Sequence, residues 1–303
     1  MSGAAASSAG RGIPAAGFLQ LAGSVVLLSS AWPITKVALA QGAGPLWFAA
    51  GRAGFSSLVA FAVLGVAGRL AVPGRRDWPA VFAVGLLQLA AFFAFAHEAV
   101  RFVPAGRTAI LCNVTTIFVV PLSVLVLHEA ISWRRWMAAL LGVAGAVVLM
   151  GPWAIDWEAP GVLTGHLFLL GSAFSFAVSM TVVRARPPRL SMLQLLPWCF
   201  LVAACVLVPL ALWQGGGIGN WPEPALWSMA YIGGLAGPVG TWCVMQVAAT
   251  MPAMVASVGF LMTPAAGLLL ATWWLHEPLG VDLLVGSGLI ISGVGFAAWP
   301  QRR

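Results

Sequence analysis

The chain has 303 residues, of which 61% are hydrophobic and 8% charged, with a formal net charge of +7. A soluble domain carries about 25% charged residues, so this surface cannot be covered in polar groups, and a water-soluble globular protein is excluded. Surplus positive charge points to nucleic acid only when it clusters on a soluble face; here it punctuates apolar runs, and no nucleic-acid partner is expected.

Crossing a hydrocarbon core of roughly 30 Å takes about 20 apolar residues. Residues 1–16 are small and polar with a single Arg11, and read as a cytoplasmic tail, not a signal peptide. Ten helices are then predicted, near 17–39, 46–68, 78–99, 104–128, 133–152, 163–183, 191–213, 226–248, 252–275 and 283–300. The fold class is therefore all-α integral membrane. The first helix ends on "SSAWPITKVALA", which holds Trp32, Pro33 and Lys36, the only lysine of the chain. Lys36 is expected either to snorkel to the interface or to face the mouth of a cavity.

Polar groups inside a membrane are costly unless partnered, which makes those near mid-depth the useful clues. The third helix carries Gln88 at its centre and ends on His97 and Glu98, with Arg101 three residues after the glutamate. A Glu98–Arg101 surface pair is one reading, and a proton-titrating group built on His97 and Glu98 the other. Asn113 and Thr116 lie one turn apart on the fourth helix; Ser172, Ser175 and Ser179 form a stripe on the sixth. Small hydroxyl residues also serve close helix packing. On the eighth helix Trp242 and Gln246 are one turn apart, a pairing suited to a ligand with an apolar body and a polar head. Thr263 is central in the ninth. Pro33, Pro238 and Pro264 fall within spans and mark kinks or hinges.

Eleven of the fifteen basic residues fall in loops on one side if the N-terminus is inside, and Arg101 alone in the opposite loops. Lys36, Arg52 and Arg107 lie within spans near their outer ends. Positive-inside bias then puts both termini in the cytoplasm. The four cysteines lie in apolar runs without metal-ligand spacing, so no metal, disulfide framework or other cofactor is expected.

Shifting the chain by 148 residues aligns "GFLQLAGS" at Gly17 with "GHLFLLGS" at Gly165, "LHE" ending at Glu129 with "LHE" ending at Glu277, Gly145 with Gly293, and Lys36 with Arg184. The chain divides into a first repeat at 17–152, an outer linker at 153–162, a second repeat at 163–300 and a cytoplasmic end at 301–303. Five spans per repeat is an odd number, so the second must lie inverted relative to the first. That is the architecture of secondary transporters.

The Trp32–Lys36 helix end, "PLSVLVLHEAISWRRWMAALLGVAGAVVLM" and "TPAAGLLLATWWLHEPLGVDLLVGSGLIISGVGFAAWP" together resemble the EamA-type drug/metabolite transporters over residues 17–300. The resemblance implies a central cavity lined by the first, third, fourth, sixth, eighth and ninth helices. It also implies a small-molecule substrate: an amino acid moved outward, or a drug or other metabolite. Thr116 stands where the second half has Pro264, a departure from the family pattern. The expected partners are the bilayer and the substrate, with protons as the candidate coupling ion, in a monomer or homodimer of a bacterial inner membrane. An intramembrane enzyme is disfavoured, because "HEAVR", "HEAIS" and "HEPLG" each lack the second histidine of a zinc site. A channel is disfavoured because no continuous polar lining is present.

Overall fold

The structure is a computed structural model that describes residues 15–128, 133–150, 153, 155–156, 158–215, 221–251, 259–260 and 262–298. These form ten helical spans. They are α1 (Ala15–Ala40), α2 (Pro45–Val66), α3 (Trp78–Val100), α4 in two pieces (Ala105–Leu111 and Thr116–Leu127) and α5 (Trp133–Leu149). The second set is α6 (Val162–Ala185), α7 (Met192–Gln214), α8 (Glu223–Tyr231 and Gly237–Thr250, joined by Ile232–Ala236), α9 (Met262–Leu275) and α10 (Val281–Ala298). α1, α2, α3, α6 and α7 are each long and apolar enough to cross a bilayer alone. Leu58, Val66, Leu125, Leu269 and Trp273 are all more than 60% exposed, an apolar exterior that only lipid can cover.

Backbone irregularities repeat with the sequence. α3 widens into a π-helix at Ala83–Ala91 and α8 at Ile232–Ala236, which maps onto 84–88 under the 148-residue shift. In α8 the widening precedes Pro238, which lacks the N–H for an i→i−4 bond and whose ring crowds the carbonyl one turn back. His128 and His276 are the two non-glycine residues at positive φ among the described residues, at 52° and 54°, and they are repeat mates. Each ends its helix in the left-handed conformation that satisfies terminal carbonyls.

The packing of α5 on α10 gives the relation between the halves. A Cβ on Gly145 would lie 2.6 Å from Ile290 Cγ1 and 2.7 Å from the Gly286 carbonyl. A Cβ on its mate Gly293 would lie 2.8 Å from the Ala138 carbonyl and 3.4 Å from the Gly142 nitrogen. Ala138 and Gly142 are the mates of Gly286 and Ile290. The same contact is thus made twice with the halves exchanged, as a two-fold axis requires. Leu149 and Gly145 meet Gly286, whereas Gly142 and Ala138 meet Gly293, so the helices run antiparallel. The duplicated halves are inverted.

Contacts group the span ends. One end of the bundle gathers Glu98, Ala105, Gly161, Gln214 and Glu277, through Glu277 on Ala105, Gly161 against Phe102, and Gln214 on Glu98. The other gathers Arg69, Asp77, Arg189 and Gln194. There the Asp77 carboxylate accepts N–H bonds from Gly74 (3.0 Å), Arg189 (2.7 Å) and Leu190 (3.1 Å), tying the α2–α3 loop to the α6–α7 loop. Backbone donors, that of Leu190 foremost, hold its pKa below the ordinary aspartate value. A lowered native pKa adds stability that is complete above the unfolded value and drains as pH falls through the native one. Asp77→Asn is expected to lower the melting temperature at pH 7, and the gap to wild type should narrow between pH 5 and pH 3. A gap independent of pH would rule this out.

Candidate functional site

The fourth span, expected as one helix, is broken at 112–115. Through the break the backbone switches to i→i−3 bonds, Asn113 to Ile110 (2.9 Å), Val114 to Leu111 (3.2 Å) and Ile117 to Val114 (2.9 Å). Asn113 and Thr115 assist it, with Asn113 Nδ2 donating to the Ala109 carbonyl (2.7 Å) and Thr115 Oγ1 to that of Cys112 (3.3 Å). Pro121, without an N–H for the Ile117 carbonyl, weakens the helix just beyond. Asn113 is exposed at the break. Thr116 opens the second piece of α4; its side chain lies outside the described residues.

α3 and α6 come from opposite halves and run antiparallel along a series of rungs. Phe95 stacks on Phe168 at 5.8 Å, Phe92 meets Phe176 edge-on at 5.6 Å, and Ser179 Oγ lies 3.4 Å from Gln88 Oε1. Trp32 of α1 closes on Phe92 at 6.3 Å. Three aromatic rings and an amide thus meet at the boundary between the halves. The hydroxyls of Ser172 and Ser175 donate to carbonyls of their own helix, Leu169 (2.7 Å) and Ser172 (2.9 Å). Ser172 also touches Cys112 Sγ at 3.6 Å. Ser175 is buried, where its small side chain lets helices approach.

Trp242 is placed elsewhere. It lines a cavity of about 310 Å³ between α2, α7 and α8, with Val59, Val63, Arg69, Leu193 and Pro238. Gln246 follows one turn on, its carbonyl accepting from Thr250 Oγ1 at 2.7 Å. Thr263 is half-buried in the first turn of α9, and Pro264 beside it is buried. Pro33 is buried within α1.

Lys36 is half-buried. Its Nζ donates to the carbonyls of Val100 and, at 3.1 Å, Val103. These belong to the end of α3, where carbonyls lack helical donors and a cation is favoured. Beside it, Glu277 accepts from the N–H groups of Ala105 (2.7 Å) and Gly106 (2.8 Å), and Arg107 pairs with Asp282 at 2.8 Å. The α9–α10 link of the second half is thereby clamped onto the start of α4 in the first. Of this cluster the sequence reading singled out only Lys36. A charge within a span is the signal that marks Arg107 as well.

His97 and Glu98 point apart. Glu98 pairs with Arg101 (3.2 Å) and accepts from Gln214 (3.0 Å). His97 is fully buried, stacked on Phe93 at 5.8 Å and edge-on to Phe48 at 5.6 Å. The Pro45 carbonyl at the start of α2 is the backbone group that faces its ring.

The EamA-like transporter family matches this chain twice, at residues 15–151 and 163–299. An uncharacterized transporter of Bacillus subtilis, YvbV, is 26% identical over 91% of this chain and 89% of its own. A probable terminal-alkyne amino-acid exporter of Streptantibioticus cattleyicolor is 26% identical over 89% of each. One solved crystal structure superposes with a TM-score of 0.61 at 20% identity, covering 93% of this chain and 96% of that one, and so shares the fold.

Proposed function

The chain belongs to the EamA-like transporter family, and on that premise we propose that it carries an amino acid with a hydrophobic or aromatic side chain outward across a bacterial inner membrane. The observation that carries this reading is the meeting of Trp32, Phe92 and Phe176 with Gln88 and Ser179 between the inverted halves. Aromatic faces suit an apolar side chain, and amide and hydroxyl groups suit a polar head. The broken α4 supports it, since discontinuous helices at mid-depth supply polar groups to substrates, and Asn113 stands open there. The Streptantibioticus relative, a probable amino-acid exporter, favours the same class.

Alternating access would rock one inverted half against the other around this crevice. The end holding Arg69, Arg75, Arg76, Arg184, Arg186 and Arg189 is assigned to the cytoplasm by the positive-inside rule. Glu98, Glu277 and Asp282 then face outward.

Counterflow in proteoliposomes tests the substrate class. Vesicles preloaded with leucine or phenylalanine should accelerate entry of the labelled amino acid, with saturation, and Gln88→Leu should cut the rate by about tenfold or more. An arm with an imposed proton gradient tests coupling. Saturable flux confined to cationic drugs would replace the amino-acid reading with drug efflux.

A further inference from the structure

We infer that the transported molecule carries an anionic group and that Arg52 of α2 is its receptor. Resting on the carrier reading above, this names the charge of the cargo. The guanidinium of Arg52 lies 4.1 Å over the ring of Phe93. It has no hydrogen-bond or ion-pair partner among the described residues, and its Nε is sealed from solvent without one. Arg52 stands seven residues into α2 from Pro45, and Phe93 seven residues before the end of α3 at Val100. Both counts place the group about 10 Å below the helix ends at ~1.5 Å per residue. A snorkelling arginine would climb toward the headgroups. This one reaches sideways to a ring at its own depth.

Among the described residues no carboxylate pairs with it. There are eight carboxylates in all. Asp77 is engaged by backbone N–H groups at the opposite end, and Glu98 by Arg101 and Gln214. Asp156 accepts from the Glu158 N–H, and both lie in the exposed segment before α6. Glu223 accepts from Trp227, Glu277 from Ala105 and Gly106, and Asp282 from Arg107. Glu129 lies outside the described residues.

A permanent cation inside a membrane without a partner is costly, and such residues mark substrate pathways. His97 also stacks on Phe93, with the Pro45 carbonyl facing its ring. A bound carboxylate would accept from the guanidinium as a fork, with Phe93 holding the guanidinium plane. By charge, the guanidinium would pair with an organic carboxylate, the acid group of an amino acid included, and would repel an amine.

The test uses full-length protein in proteoliposomes and matched probes: phenylalanine, its amide, phenethylamine and phenylpropionate, with wild type, Arg52→Gln and Arg52→Lys. Wild type should move the two carboxylates and neither the amide nor the amine. Arg52→Gln should raise half-saturation for the carboxylates about 30-fold or more, as loss of one partner of a buried charge pair does. Arg52→Lys, which keeps the charge without the fork, should fall between. If Arg52→Gln does not fold, the wild-type comparison of acid with amide decides alone. Amide or amine moved as well as acid, or unaltered carboxylate affinity in a folded Arg52→Gln, would overturn the inference while leaving a carrier. Transport of phenylpropionate without phenylalanine would uphold Arg52 and remove the amino-acid assignment instead.

Discussion

Glu277→Ala is expected to lower the melting temperature of the detergent-solubilised protein by about 5 °C or more, against a cost of about 3 kcal/mol. The carboxylate accepts two backbone N–H bonds, from Ala105 and Gly106, across the boundary between the halves. Bonds to a charged acceptor contribute roughly 1.5–3 kcal/mol each, and their loss leaves two donors at the first turn of α4 without partners. The neighbours add to the cost. Lys36 and Arg107 lie close by, and Arg107 keeps Asp282 while Lys36 keeps only carbonyl oxygens. Glu277→Gln preserves shape and one acceptor but no charge, and about half of the loss should remain. Glu223→Ala removes an exposed carboxylate that accepts from Trp227 within its own helix, so it serves as the control and should shift the melting point by about 1 °C or less. The clamp also joins the elements that must part if the halves rock open at this end. A cysteine placed at Ala109, buried behind the clamp, should therefore react faster with a water-soluble thiol reagent in Glu277→Ala than in an otherwise unchanged background. Equal reaction rates would mean that the clamp does not hold this end closed.

The architecture was legible because it rests on two repeating quantities, apolar run length and the 148-residue shift. Both survive the loss of identity between the halves: the αL histidines and the paired π-helices occur at mated positions although few side chains match. The expected start of the ninth span at 252 lies outside the described residues, and α9 is described from Met262. The site was less legible. Periodicity says which residues share a helix face, not which helix that face meets. Ser172, Ser175 and Ser179 were found as a stripe, yet two of them bond their own backbone and only Ser179 reaches an amide. His97 and Glu98 are neighbours in sequence but, about 100° apart on α3, meet different partners, one Phe93 and the other Arg101. The break in α4 depends on local competition from Asn113 and Thr115 for backbone carbonyls, which hydropathy does not register. Arg52 was visible as a charge within a span. Its isolation could have been anticipated, because Phe48, Ala49, Phe55 and Ser56, the positions one turn away, offer no acid.

The symmetric contact between α5 and α10 makes the second large prediction, and it bears on the inverted arrangement itself. Gly145→Leu and Gly293→Leu should each abolish recovery of folded protein, and Gly145→Ala should cost about 1–3 kcal/mol. At both positions a side chain would enter the backbone of the facing helix: the Gly286 carbonyl lies 2.7 Å from a Cβ on Gly145, the Ala138 carbonyl 2.8 Å from one on Gly293. A flexible side-chain tip can turn aside; a carbonyl within a helix cannot, so the helices themselves must separate. Gly288 lies on the same α10, and a Cβ there meets nothing within 4 Å. Gly288→Ala should accordingly be neutral or slightly stabilising through helix propensity. Neighbouring glycines of one helix then behave oppositely, which a general intolerance of substitution in α10 cannot produce. The exchange of roles between halves gives a second readout. Cysteines at Leu149 and Gly286 should crosslink, since a Cβ on Gly286 falls 2.5 Å from Leu149 Cγ. A two-fold axis between antiparallel α5 and α10 predicts that cysteines at the repeat mates of these positions, 138 and 297, crosslink too. Parallel helices would bring 145 beside 293 and leave both pairs unlinked, and that pattern would remove the structural basis for two inverted halves.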